Sequence, residues 1–143
     1  MLGLPEMHVE DVSCDNLTVY LDRENKKTGS PDSAPGFPKV AGAGFIAQRV
    51  DRLSLRNVQI IDQRGPAITI NDARDLVLSN VEVPTAPADG PSIELTDVQG
   101  ADIHDCIAPT TIGQPLRVTG GSNIHVRDNN FEPTTRPTNL TAH

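Results

Sequence analysis

Leu76-Val77-Leu78-Ser79-Asn80-Val81-Glu82-Val83 is the stretch on which the fold turns, because apolar and polar residues alternate on either side of a single asparagine. Alternation with a period of two marks a strand with one buried face. Four further stretches fall into the same columns: Val12 to Val19, Leu53 to Ile60, Ala101 to Ala108 and Ile124 to Phe131. Their fifth position is always Asn or Asp, namely Asn16, Asn57, Asn80, Asp105 and Asp128, at intervals of 41, 23, 25 and 23 residues. A period near 24 residues belongs to a solenoid, and the first interval is one period plus an insertion.

Working outward, a second alternating run begins eight residues before each of the last four copies: Phe45-Ile46-Ala47, Ile68-Thr69-Ile70, Ile93-Glu94-Leu95 and Leu116-Arg117-Val118. Each repeat is therefore expected to supply three short strands and three bends, with a corner at Val50, Ala73, Val98 and Gly121. No repeat can bury its own apolar side. Stacking repeats in register, with parallel strands about 4.8 Å apart, gives a continuous interior. The expected fold is all-β, a right-handed parallel β-helix of about five coils. A short amide at a repeated bend tolerates the left-handed backbone region and can hydrogen-bond along its column. The ladder Asn16, Asn57, Asn80, Asp105 and Asp128 is thus read as structural, with the stacked carboxylates of Asp105 and Asp128 in need of a cation or a proton.

The coils are expected within residues 1–131, interrupted by a proline- and glycine-rich loop at 20–43, and the tail 132–143 is expected to be partly disordered or to cap the last coil. The 143-residue chain carries a net charge of −7, and its 12 basic residues form no stripe, which excludes nucleic acid as a partner. No apolar run approaches the roughly 20 residues of a membrane span, and no signal-peptide pattern opens the chain. Cys14 and Cys106 fall in different columns three repeat steps apart, too far to bridge, and are expected as buried free thiols. Asn139-Leu140-Thr141 and Asn16-Leu17-Thr18 match the glycosylation acceptor pattern, the latter at a packed corner.

Candidate sites follow from the register. Asp72 and Asp97 occupy one column on adjacent coils, but parallel carboxylates about 4.8 Å apart lie closer than the roughly 6.5 to 9.5 Å of an inverting pair. Solvated corner aspartates account for them better. Facing outward from the middle sheet, Asp102 is expected beside His125 and His104 beside Arg127, a patch suited to an acidic sugar. The two imidazoles are diagonal neighbours about 7 to 8 Å apart, too wide to share a metal, so neither a metal nor a cofactor is expected. With no Trp in the chain, Tyr20 and Phe37 are the aromatic side chains left for stacking on a sugar ring.

Gly3-Leu4-Pro5, His8-Val9-Glu10-Asp11-Val12, Asn16-Leu17-Thr18-Val19, Ala43 to Val50, Leu53 to Val58, Gly65-Pro66-Ala67-Ile68 and Leu76 to Val83 together follow an order that resembles the C-terminal half of the polygalacturonases, glycoside hydrolase family 28, within the pectin-lyase-like β-helices. The resemblance spans about residues 3–131 and is strongest to bacterial members. It implies an acidic, pectin-like polysaccharide as partner, an extracellular or periplasmic location, and further N-terminal coils. The family's Asn-Thr-Asp, Asp-Asp, Gly-His-Gly and Arg-Ile-Lys motifs are absent from this sequence. The implied role is a structural and substrate-groove segment of a galacturonan hydrolase, not catalytic by itself. The alternative is a stand-alone solenoid of structural, carbohydrate-binding or adhesin type. In either case the edge near residues 8–20 is a row of unpaired backbone groups open to self-association.

Overall fold

The computed structural model describes residues 1–21, 44–84, 90–109, 115–132 and 141–142. The expected loop from residue 22 onward, Phe37 within it, the acceptor pattern at Asn139 and most of the tail lie outside the described residues. The described residues form nine strands: β1 (Val9–Tyr20), β2 (Phe45–Ile61), β3 (Ile68–Glu82), β4 (Ile93–His104), β5 (Ile107–Pro109), β6 (Leu116–Thr119), β7 (Ser122–Arg127), β8 (Asn130–Glu132) and β9 (Thr141–Ala142). All pairings between them are parallel. There is no helix among the described residues, and so none long and apolar enough to cross a membrane.

The chain is a parallel β-solenoid. Cys14 pairs with Leu55, Leu55 with Leu78, Leu78 with Ile103 and Ile103 with Val126, so one inward column climbs through five rungs. The first sheet climbs from Phe45 to Ile68, Ile93 and Leu116, which are three full turns. About five coils were expected; the fully described turns are these three, flanked by incomplete windings, because β1 has no described partner strand in the first sheet and β8 ends the third. Side chains such as Leu55, Leu78, Leu95 and Ile103 are completely buried, and the apolar columns form one core.

The bends are where sequence and structure differ. From β2 onward each winding contains three left-handed corners. The first column is Arg49, Asp72, Asp97 and Gly120; the second is Asp11, Arg52, Asp75, Gly100 and Asn123; the third is the Asn/Asp ladder, with φ of 52–57°. The expected corner at Val50, Ala73 and Val98 is instead a two-residue side between the first two columns, with those three residues pointing inward and buried. Gly121 continues this column, and a Cβ there would run into the backbone oxygen of Val98. Positive φ costs an ordinary L-residue roughly 1–2 kcal/mol, which explains why Asp, Asn and Gly dominate all three columns.

Along the ladder, the Nδ2 of Asn80 donates to Oδ1 of Asn57 at 2.7 Å, and the Nδ2 of Asn57 donates to Asp15 rather than Asn16, at 2.9 Å. Asn129 stands in an inward column yet is only half-buried. Its Oδ1 accepts from the Cys106 amide at 2.8 Å and its Nδ2 donates to the Ile103 carbonyl at 2.9 Å, fastening the last rung to the one before. Both cysteines are free, but Cys14 is half-buried rather than buried, because it lies on the terminal rung β1. Thr141 and Ala142 add a further parallel rung beside His125 and Val126.

Candidate functional site

Two clusters of charged side chains arise where outward positions of neighbouring rungs come together. The first is on the middle sheet. Asp102 pairs laterally with His125, and His104 with Arg127, as the register predicts. The contacts run along the diagonal: Arg127 clamps Asp102 through Nε and Nη2, at 3.3 and 3.1 Å. The Nη1 of the same guanidinium lies 3.8 Å from Asp128. These carboxylates raise the Arg127 pKa, the hydrogen bonds that Arg127 donates to Asp102 contributing most. His104 Nδ1 is 2.7 Å from Asp105 Oδ2. The two aspartates of the ladder thus meet different basic side chains, and the guanidinium expected to receive an acidic sugar is already engaged by carboxylates.

Beside this patch, Asp75, Leu76, Val77, Gly100, Ala101, Asp102, Asn123 and His125 line a shallow depression of about 390 Å³. Three of these, Asp75, Gly100 and Asn123, are second-column corner residues. Tyr20 is exposed at the far end of β1. It is not among the residues lining either of the two hollows described here.

The second cluster is formed by the N-terminal segment folding over the short side. Met1 donates its amino group to the Ile46 carbonyl at 2.8 Å, the Gly3 amide donates to the Gln48 carbonyl at 2.8 Å, and Leu4 and Met7 close a small turn. His8 is thereby set on the next two rungs. Its Nδ1 lies 2.9 Å from Asp51 Oδ1 and its Nε2 lies 3.8 Å from Asp72 Oδ2. Asp51 and the His8 ring are largely buried, whereas Asp72 is exposed. Pro5, Glu6, Met7, His8, Glu10, Asp51 and Arg74 line a cleft of about 570 Å³. Glu10, Asp51 and Arg74 are successive members of one outward column.

At the edge of this cleft, Arg52 bonds Asp11 at 2.5 Å and reaches Glu10 at 3.3 Å. The hydrogen bond from Arg52 holds the Asp11 carboxyl below its ordinary pKa, and the pair raises that of Arg52. Of the expected pair Asp72 and Asp97, Asp72 faces His8, while Asp97 packs against Gly120, where a Cβ would strike its Oδ1. Each meets its own surroundings, and neither lines the cleft beside His8 or the depression beside Asp102. Periodicity had no means of finding the His8 cleft, since His8 precedes the first repeat. The column Glu10, Asp51, Arg74 was nevertheless available at the same 41- and 23-residue offsets that define the ladder.

Among the described residues no group of three or more His, Cys, Asp or Glu side chains is arranged to hold a metal ion. No protein-family model matches the chain, and no curated protein matches it. Among solved structures, a "putative glycosyl hydrolase" from Parabacteroides merdae ATCC 43184 is similar, with a TM-score of 0.45 and 17% identity. The alignment covers 68% of this chain and 38% of that one, so the chain spans well under half of its neighbour's length. A likeness of that size transfers neither activity nor substrate.

Proposed function

We propose that this chain is a β-helix segment of a polysaccharide hydrolase of the galacturonan-cleaving type its sequence resembles, lengthening the substrate groove without supplying the reacting carboxylates. The observation that carries this reading is the state of the first rung. Val9, Val12, Cys14, Leu17 and Val19 are only partly covered, whereas their counterparts one rung on, Val50, Leu53, Leu55, Val58 and Ile60, are buried to within 1%. Among the described residues, no strand pairs with the outer edge of β1. An apolar layer of this kind is the seat for another coil, and in the resembled family the preceding coils carry the catalytic aspartates.

The non-catalytic part of the reading draws on the pairing of the acid and base groups: Asp102 with Arg127, Asp105 with His104, and Asp51 with His8. The test is made on the isolated chain. Reducing-sugar release from polygalacturonate is expected to stay at the buffer background, and migration through a gel containing pectic polysaccharide is expected to be retarded. Clear turnover would overturn the non-catalytic role. Unretarded migration would overturn the groove role and leave the stand-alone structural solenoid as the better description.

A further inference from the structure

We infer that Asn16 is a modification site, the acceptor of an N-linked oligosaccharide on the first rung of the coil. The inference does not depend on the hydrolase reading. Asn16-Leu17-Thr18 holds the residue types that such a transfer requires, an amide and, two residues on, a hydroxyl. The repeat alone places this pattern at a packed corner, whereas the structure leaves it open. Asn16 and Thr18 are both exposed on β1 with Leu17 half-buried between them, and Asn16 turns the corner at φ 57°. Among the described residues no strand pairs with the outer edge of β1, so no described rung crowds that side of the corner.

A second, independent observation singles out this amide. The Nδ2 of Asn80 donates to Asn57, and the Nδ2 of Asn57 donates past Asn16 to the carboxylate of Asp15. A carboxylate is the stronger acceptor, so the chain of amides leaves its own column at the last step. Asn16 is left with no side-chain hydrogen bond among the described residues. Asn57, Asn80 and Asn129 are the reverse case: two residues on stand Gln59, Glu82 and Phe131, and all three amide nitrogens are bonded. The ladder asparagine that carries the acceptor pattern is thus the one whose nitrogen can be substituted without breaking the ladder.

In the transfer, Nδ2 of Asn16 bonds the anomeric carbon of the first sugar of a polyprenyl-diphosphate-linked oligosaccharide. The bond from that carbon to the phosphate oxygen breaks, the polyprenyl diphosphate leaves with the electron pair, and the amide gives up one proton. The added group is bulky and strongly hydrated. Because Asn16 is exposed while Val12, Cys14 and Leu17 pack against the core, the glycan covers the outside of the rung and stays out of the interior.

The experiment secretes the full chain from a eukaryotic cell behind a cleavable leader. Glycans are released by amidase in ¹⁸O water, and the labelled aspartates are located by mass spectrometry. Asn16 is expected to be labelled, Thr18→Val to abolish the label there and Thr18→Ser to retain it in part. Asn16→Gly, which keeps the corner geometry, is expected to be secreted in equal amount without the glycan. Gln59→Thr gives Asn57 the same pattern on a nitrogen the ladder uses, and occupancy of Asn57 in the secreted chain is expected to fall at least about fivefold below that of Asn16. An unlabelled Asn16, or label confined to Asn139, would overturn the inference. So would secretion of Asn16→Gly alongside retention of the unaltered chain, or equal occupancy of Asn57 and Asn16.

Discussion

Asn80 shows how much one side chain contributes to a corner. It sits at φ 52° and its amide bonds that of Asn57, one rung away. Asn80→Ala loses the bond and keeps the unfavourable backbone, and is expected to cost about 2 kcal/mol in urea unfolding, whereas Asn80→Gly loses the bond alone and is expected to cost about 1 kcal/mol. Equal losses would mean that the left-handed geometry contributes nothing. Cys106 supplies a pH signature. Burial pushes its thiol from 9.0 up to about 11. Below pH 9 both folded and unfolded states keep the proton, and stability does not depend on it. Between pH 9 and about 11 the unfolded thiol ionises while the folded one does not, so stability falls as pH rises. The full difference is about 3 kcal/mol. Cys106→Ala is expected to flatten the slope of stability against pH in that window, as followed by chemical denaturation, and an unchanged slope would show that the thiol is not its source.

At the scale of the strand, position in the stack decides the consequence of a truncation. Leu78 on β3 is wholly buried between Leu55 and Ile103, and Leu78→Ala is expected to remove about 3 kcal/mol. Val12 on β1 is half-covered, with its one described neighbouring rung at Leu53, and Val12→Ala is expected to remove less than about 1 kcal/mol. Matching losses in thermal or urea melts would contradict the burial gradient. The strands were the most legible part of the chain, since alternation and the 23- to 25-residue spacing fix which residues pair. The first two corner columns were not legible as separate, although Asp72 and Asp97 were read as corner aspartates. Arg49 and Arg52 hold left-handed geometry without being residues that favour it, and what accompanies them is a hydrogen bond to Gly3 and the pairing with Asp11, neither of which periodicity announces. The two-residue side between those columns was for the same reason read as a single corner.

For the molecule as a whole, lateral neighbours could be derived from the repeat but diagonal ones could not. Asp102 was placed correctly beside His125, yet its hydrogen bonds go to Arg127, because a long guanidinium reaches past its own rung position to the nearest carboxylate. The His8 cleft depends on a segment outside the repeat, and only its path across Gln48 and Ile46 reveals it. The column that holds Leu17, Val58, Val81, Cys106 and Asn129 starts with a half-bare hydrocarbon and finishes with an amide turned toward backbone partners. The two ends of this column are therefore unlike among the described residues: one leaves hydrocarbon half-covered, while the other uses its polar side chain to fasten the layer below. Among the described residues the column thus has a direction, from uncovered hydrocarbon on β1 to a hydrogen-bonded amide at Asn129.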